Sequence, residues 1–295
     1  MQPQEILFRT SADDTEQPAL FWKPSVRRAV PVLVALHAWS ADYRSGGAEA
    51  WLERCRERKW AFIYPDFRGP SVRPEAGGSD LAVRDIVSAL DYAAAHANAD
   101  PLRIYAAGGS GGGHAALLVA GRAPKRWTAV SAWAPIVDLA AWHGESQERQ
   151  NKYAADLENC CGGKPGDSEA VDREYERRSP LTWLKYAKGL ALDINAGIRD
   201  GHEGSVPVDH ALRAFNAVAR PQDRLSEGEI AYWAERAAPP EGAGEDIEDP
   251  AYGEKRPLFR RESGRARVTI FDGGHEVVHD AAFAWLERQE KPVAL

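Results

Sequence analysis

Apolar positions along the chain fall into two alternating patterns. Val30-Pro31-Val32-Leu33-Val34-Ala35-Leu36 is an unbroken apolar run, and similar short runs recur at 60–64, 103–107, 129–133, 190–194 and 268–271. A strand covered by helices on both faces has no wet side, so runs of this kind predict the central strands of a parallel sheet. Between them lie stretches with helical spacing, as in Leu81, Ile86, Leu90 and Tyr92 behind the capping pair Ser79-Asp80. Near the start, Ile6-Leu7-Phe8 and Leu20-Phe21-Trp22 flank a polar turn and predict an antiparallel ribbon at a sheet edge. The alternation of strand and helix predicts an α/β domain: a mostly parallel sheet, helices on both faces, right-handed crossovers, and ligands beyond the carboxyl ends of the strands.

Two segments break the rhythm. Residues 137–189 contain several helical pieces and a glycine-proline break at 162–166, and residues 221–264 are acidic and punctuated by Pro239-Pro240 and Asp249-Pro250. Both read as insertions at the active-site end of a single domain spanning 1–295. The chain has 295 residues, enough for one large core, and no apolar run approaches the roughly 20 residues that cross a bilayer. Its formal charge of -7 arises from 44 acidic against 37 basic side chains, with the basic ones scattered, so neither nucleic acid nor a membrane is expected as a partner. Three cysteines, two of them the neighbours Cys160 and Cys161, give no disulfide framework. The first residues lack a basic and then apolar leader, so the chain as given reads as cytoplasmic, or as secreted or periplasmic if a signal peptide has been removed.

The candidate chemistry begins where the run at 103–107 ends directly in Gly108-Gly109-Ser110-Gly111-Gly112-Gly113 and a helix follows. A serine hydroxyl is a poor nucleophile and needs a fixed projecting backbone, a base and donors for the developing oxyanion; a crowded strand-to-helix turn with small residues around the serine supplies that geometry. A glycine-rich turn can instead bind phosphate, but the dinucleotide spacing and the Lys-Ser/Thr of a P-loop are both missing. Ser110 is the candidate nucleophile. After the last apolar run comes Asp272-Gly273-Gly274-His275, a histidine on a glycine loop and the candidate general base; His279, the nearest rival, falls in the following helix and reads as a surface residue. The acid should follow a strand between them, where Asp200 and Glu203 compete; the shorter side chain nearer the strand favours Asp200. No histidine groups with cysteines or carboxylates at metal spacing, so neither metal nor cofactor is expected.

The order Ser110, Asp200, His275 is that of the α/β-hydrolases. Leu36-His37-Ala38-Trp39, Asp66-Phe67-Arg68-Gly69, the glycine turn at Ser110, Gly197-Ile198-Arg199-Asp200, Val206-Pro207 and Gly274-His275 together resemble the prolyl-oligopeptidase-like and dienelactone-hydrolase-like branch of that superfamily. The resemblance implies an α/β-hydrolase fold, with the backbone N–H groups of Trp39 and Gly111 as the oxyanion hole. Ala38 stands where a glycine is usual, and extra residues separate Asp200 from Val206-Pro207, which keeps Glu203 in play. The family's peptidases carry a large N-terminal propeller for which this chain has no room, and a cysteine nucleophile would mark dienelactone hydrolases proper; both points favour a serine esterase. His37, Trp142, Arg199 and His202 lie in segments expected to border the site and are candidates for binding the substrate, a small-molecule or carbohydrate-linked, or aromatic, ester. A small oligopeptidase and a non-catalytic ligand-binding protein are the other readings.

Overall fold

The computed structural model describes residues 2–45 and 47–292; residue 46 and the ends of the expected 1–295 domain, residues 1 and 293–295, lie outside them. The chain runs β1 (Gln4–Arg9), β2 (Glu16–Trp22), β3 (Val30–Leu36), α1 (Ala48–Arg58), β4 (Ala61–Pro65), α2 (Asp80–Ala97), β5 (Ala99–Gly109), α3 (Gly111–Arg122) and β6 (Ala129–Trp133). After β6 come the helices α4 (Leu139–Glu148), α5 (Tyr153–Cys161), α6 (Glu169–Arg178) and α7 (Pro180–Trp183). The remainder is β7 (Ala191–Gly197), α8 (Asp209–Val218), α9 (Glu227–Ala234), β8 (Pro257–Ser263), β9 (Ala266–Phe271) and α10 (His279–Leu286).

These strands form one nine-stranded sheet in the order β1-β2-β4-β3-β5-β6-β7-β9-β8. Its six central strands, β4, β3, β5, β6, β7 and β9, pair in parallel, while the ribbon β1–β2 and the strand β8 close the two edges antiparallel. This is the α/β-hydrolase fold. All seven residues of β3 are buried, as are all of β6 and β7, because α2, α3 and α8 cover one face of the sheet and α1 and α10 the other.

The sequence reading missed β8 and placed it inside an insertion at 221–264. Its arginines explain this: Arg260 and Arg261 are consecutive, part-buried residues of an edge strand and pair with Asp249 and Glu229, so the segment shows no clean apolar alternation. The helices α4 to α6 in 137–189 build a third apolar cluster, in which Leu139, Trp142, Leu157 and Tyr175 pack with Trp39 from the loop after β3. All three cysteines are buried and free. Among the described residues no helix is long and apolar enough to cross a membrane.

Candidate active site

β5 runs into α3 through Ser110, which caps the helix with φ 58° and ψ −124°. A non-glycine residue rarely adopts this conformation, and it persists only where the surroundings enforce it. The Ser110 N–H donates to the Trp133 carbonyl at 2.8 Å, fixing the turn to the end of β6. The glycines around it are required by contact: a Cβ on Gly112 would stand 2.2 Å from the Leu36 carbonyl oxygen, and one on Gly111 2.3 Å from the Trp39 backbone nitrogen. α3 therefore seats against the loop after β3 at backbone distance. Neither the Trp39 nor the Gly111 N–H donates to a partner among the described residues, so two adjoining donors stand free beside Ser110.

β7 and β9 pair in parallel with Gly197 opposite Phe271, so the loops that follow them emerge side by side. Asp200 lies on the first loop and His275 on the second. The His275 Nδ1–H donates to Asp200 Oδ2 at 2.7 Å, while Asp200 Oδ1 accepts the N–H groups of Gly201 at 3.0 Å and Val206 at 3.1 Å. Asp200 is buried, whereas Glu203 is exposed, 3.8 Å from Arg199 and joined to neither histidine nor serine. Ser110 and His275 line the same cavity of about 550 Å³, with no hydrogen bond between them. A groove of about 510 Å³ beside β2 and the end of α2 carries none of these residues.

The four residues expected to bind substrate do not line this cavity. His37 is buried and stacked on Phe67 at 3.8 Å, and its nitrogens lie 2.9 and 2.8 Å from the carbonyls of Ala38 and Asp66; burial pushes its pKa down. Trp142 is buried behind Trp39, with its indole N–H donating to the Ser205 carbonyl at 2.8 Å. Arg199 pairs with Asp272 at 2.7 Å, and His202 is exposed, with Nε2 3.1 Å from the Ala234 carbonyl. Each is consumed by a partner within the protein.

The cavity wall is built instead by Trp51 of α1, Tyr64 of β4, Tyr153 of α5, and Glu276, Val277 and His279 after His275. His279, expected at the surface, is half-buried and stands edge-on to Trp51. The helix starts only at His279, so residues 275–278 form a loop that turns this ring inward. From 137–189 Tyr153 reaches the cavity, whereas no described residue of 221–264 lines it; Lys255 acts at one remove, through Glu276. Burial opposes ionisation of Glu276, but the Gly274 N–H and the Lys255 ammonium outweigh it and hold the carboxyl below its usual range.

Glu145, Asp209 and His210 place ligand atoms within 4.8 Å of one another away from the cavity. The Val137 N–H donates to His210 Nδ1 at 3.0 Å, which leaves the ring proton on Nε2 facing Glu145 at 3.2 Å. Both nitrogens are occupied, Nδ1 as acceptor and Nε2 as donor to Glu145, which leaves the ring no lone pair for a metal.

The model of the prolyl oligopeptidase family matches residues 72–227, more than half of the chain. The chain belongs to the prolyl oligopeptidase family. Its motifs and fold are in keeping with that family. Its fold is similar to that of the acylaminoacyl peptidase of Pyrococcus horikoshii, with a TM-score of 0.61 and 18% identity over 74% of this chain and 35% of that one. It is similar also to a puromycin-hydrolyzing peptidase of Mycobacterium tuberculosis, with a TM-score of 0.63 and 18% identity over 96% of this chain and 37% of the other. A puromycin hydrolase gives a TM-score of 0.63 at 17% identity, over 97% and 38%. The chain thus spans little more than a third of the length of these family proteins. No curated protein sequence matches it.

Proposed function

We propose that the chain hydrolyses small uncharged carboxylic esters through an acyl-enzyme on Ser110. The observation that carries this reading is the meeting in one cavity of a serine at φ 58° and a histidine paired to a buried aspartate at 2.7 Å. His275 takes the Ser110 proton through Nε2 as the oxygen attacks the carbonyl carbon, and Asp200 holds the imidazole in the required tautomer. The free N–H groups of Trp39 and Gly111 receive the oxyanion. His275 returns the proton to the departing alcohol; water, activated by the same imidazole, then releases the acid.

The charge of the wall supports an uncharged substrate. Among the described lining residues Glu276 is the one carboxylate, and Lys255 at 2.9 Å already balances it, so a free amino terminus would find no counter-ion. A small peptidase is the second reading, favoured because the similar solved structures include an acylaminoacyl peptidase and a puromycin-hydrolyzing peptidase.

The test compares p-nitrophenyl butyrate with peptidyl p-nitroanilides and follows fluorophosphonate labelling by mass spectrometry. The ester should be preferred, the label should sit on Ser110, and Ser110→Ala should lose nearly all turnover. Preference for the anilides would select the peptidase reading. Failure of the label to attach would leave a protein that binds ligands without cleaving them.

A further inference from the structure

His279 is the one histidine of the cavity wall that the proposed reaction does not use. Its ring centroid lies 4.5 Å from that of Trp51 with the planes at 70°, an edge-on packing that holds the ring in place. Neither nitrogen makes a hydrogen bond among the described residues, although the residue is half-buried and lines the cavity. An imidazole with no partner inside the protein has donor and acceptor capacity that a ligand can satisfy. Burial drives its pKa down to about 4, aided by the charge of Arg54, so near neutrality it is uncharged and offers one N–H and one lone pair. Ala50 and Val277 are its apolar companions in the cavity wall, and the charges that act on it, Arg54 and Asp280, are paired with each other at 3.0 Å.

The position assigns this shelf to one half of the substrate. His275 must hand its proton to the leaving group, so that group departs on the His275 side. Val277 follows His275 on the loop and His279 opens α10 directly after it, with Trp51 packed against His279 from α1. The acyl carbonyl, by contrast, is drawn toward the N–H groups of Trp39 and Gly111.

Resting on the reading of Ser110 as nucleophile, we infer that His279, held by the buried Trp51, selects the leaving group, an uncharged alcohol whose apolar body packs on Ala50 and Val277 and whose oxygen-bearing substituent hydrogen-bonds the imidazole. The chemistry is unchanged: the ester C–O bond breaks, the alcohol leaves with the proton that Ser110 gave to His275, and His279 transfers none.

Phenyl butyrate and 4-(hydroxymethyl)phenyl butyrate share an acyl group and differ little in leaving-group acidity, so the ratio of their kcat/KM values reads the shelf. The wild type should favour the hydroxymethyl ester about fivefold, the worth of one neutral hydrogen bond. His279→Phe, which keeps a ring against Trp51, should bring the ratio toward one, and His279→Asn should restore part of it. Calorimetric titration with the free alcohols, phenol and 4-hydroxybenzyl alcohol, reads the same preference without turnover. A ratio in the wild type near one, or one that His279→Phe does not move, overturns the assignment and leaves the Ser110 chemistry standing. If the alcohols show the preference and His279→Phe abolishes it while neither ester is cleaved, the shelf stands and the ester-hydrolase reading falls.

Discussion

Replacing Asp200 by asparagine tests the site at its most constrained point. Asp200 Oδ1 accepts two backbone N–H groups, from Gly201 and Val206, and Oδ2 accepts the Nδ1–H of His275 at 2.7 Å. An asparagine has a single oxygen for these duties. If that oxygen stays with the two backbone donors, the amide NH2 faces His275 Nδ1 and draws the ring proton to Nε2, the nitrogen that must accept from Ser110. Turning the amide over restores the tautomer but aims its NH2 at the N–H groups of Gly201 and Val206. Two buried donors left unpaired cost about 1–3 kcal/mol each, so the productive arrangement lies about 2–6 kcal/mol above the unproductive one. At ~1.4 kcal/mol per decade the expected loss in kcat/KM runs from about 30-fold to about 2 × 10⁴-fold, the upper end in line with the roughly 10⁴-fold known for a mis-set tautomer in such triads.

The assay is hydrolysis of p-nitrophenyl butyrate together with the rate of fluorophosphonate labelling, since both need an activated Ser110; circular dichroism checks that the fold persists. Glu203→Gln is the control. Its side chain is 70% exposed and 3.8 Å from Arg199, so it should remain within about twofold of the wild type, as exposed pairs contribute little. The reasoning would be refuted by an Asp200→Asn protein that keeps more than a tenth of its activity, or by a hundredfold loss in Glu203→Gln.

Gly112→Ala would place a Cβ 2.2 Å from the Leu36 carbonyl oxygen, a backbone atom in a fully buried strand that cannot swing aside, and should destabilise the protein by about 2–3 kcal/mol. Urea denaturation would show it as a lowered midpoint; an unmoved midpoint would mean that α3 can back away from β3. Acid should also weaken the fold through His114, which is fully buried with its Nε2–H on the Arg178 carbonyl at 2.8 Å and whose pKa burial lowers to about 4. The unfolded chain protonates this histidine near pH 6.5 and the folded one only near 4. The stabilisation is therefore complete above about pH 6.5 and is lost as the pH falls toward 4, by up to about 3 kcal/mol. Denaturation midpoints at pH 7, 5.5 and 4.5 should fall more steeply for the wild type than for His114→Gln, and equal slopes would reject this account.

How much of this was legible in the sequence follows from the range of the physics involved. Ser110 could be read because its requirements are local: the end of a strand, a crowded turn and a helix start lie within a dozen consecutive residues. Asp200 and His275 are 75 residues apart, yet each follows an apolar run directly, and adjacent parallel strands deliver their following loops to one place. Position along a strand therefore stood in for position in space. Side-chain direction has no such proxy. His37, Arg199 and His202 are neighbours in sequence of site residues and Trp142 lies in an expected insertion, but Asp66, Ser205, Asp272 and Ala234, distant in the chain, engage them.

Trp142 illustrates what replaces direct contact. Its indole packs edge-on against Trp39 with centroids 5.1 Å apart, and its N–H holds the Ser205 carbonyl on the loop whose next residue, Val206, donates to Asp200. One ring thus braces both the loop bearing the free Trp39 N–H and the loop that binds the Asp200 carboxylate. The helices of 137–189, although they contribute only Tyr153 to the described cavity wall, support the site from behind by packing, and a change in that packing would be felt at Trp39 and Asp200 together.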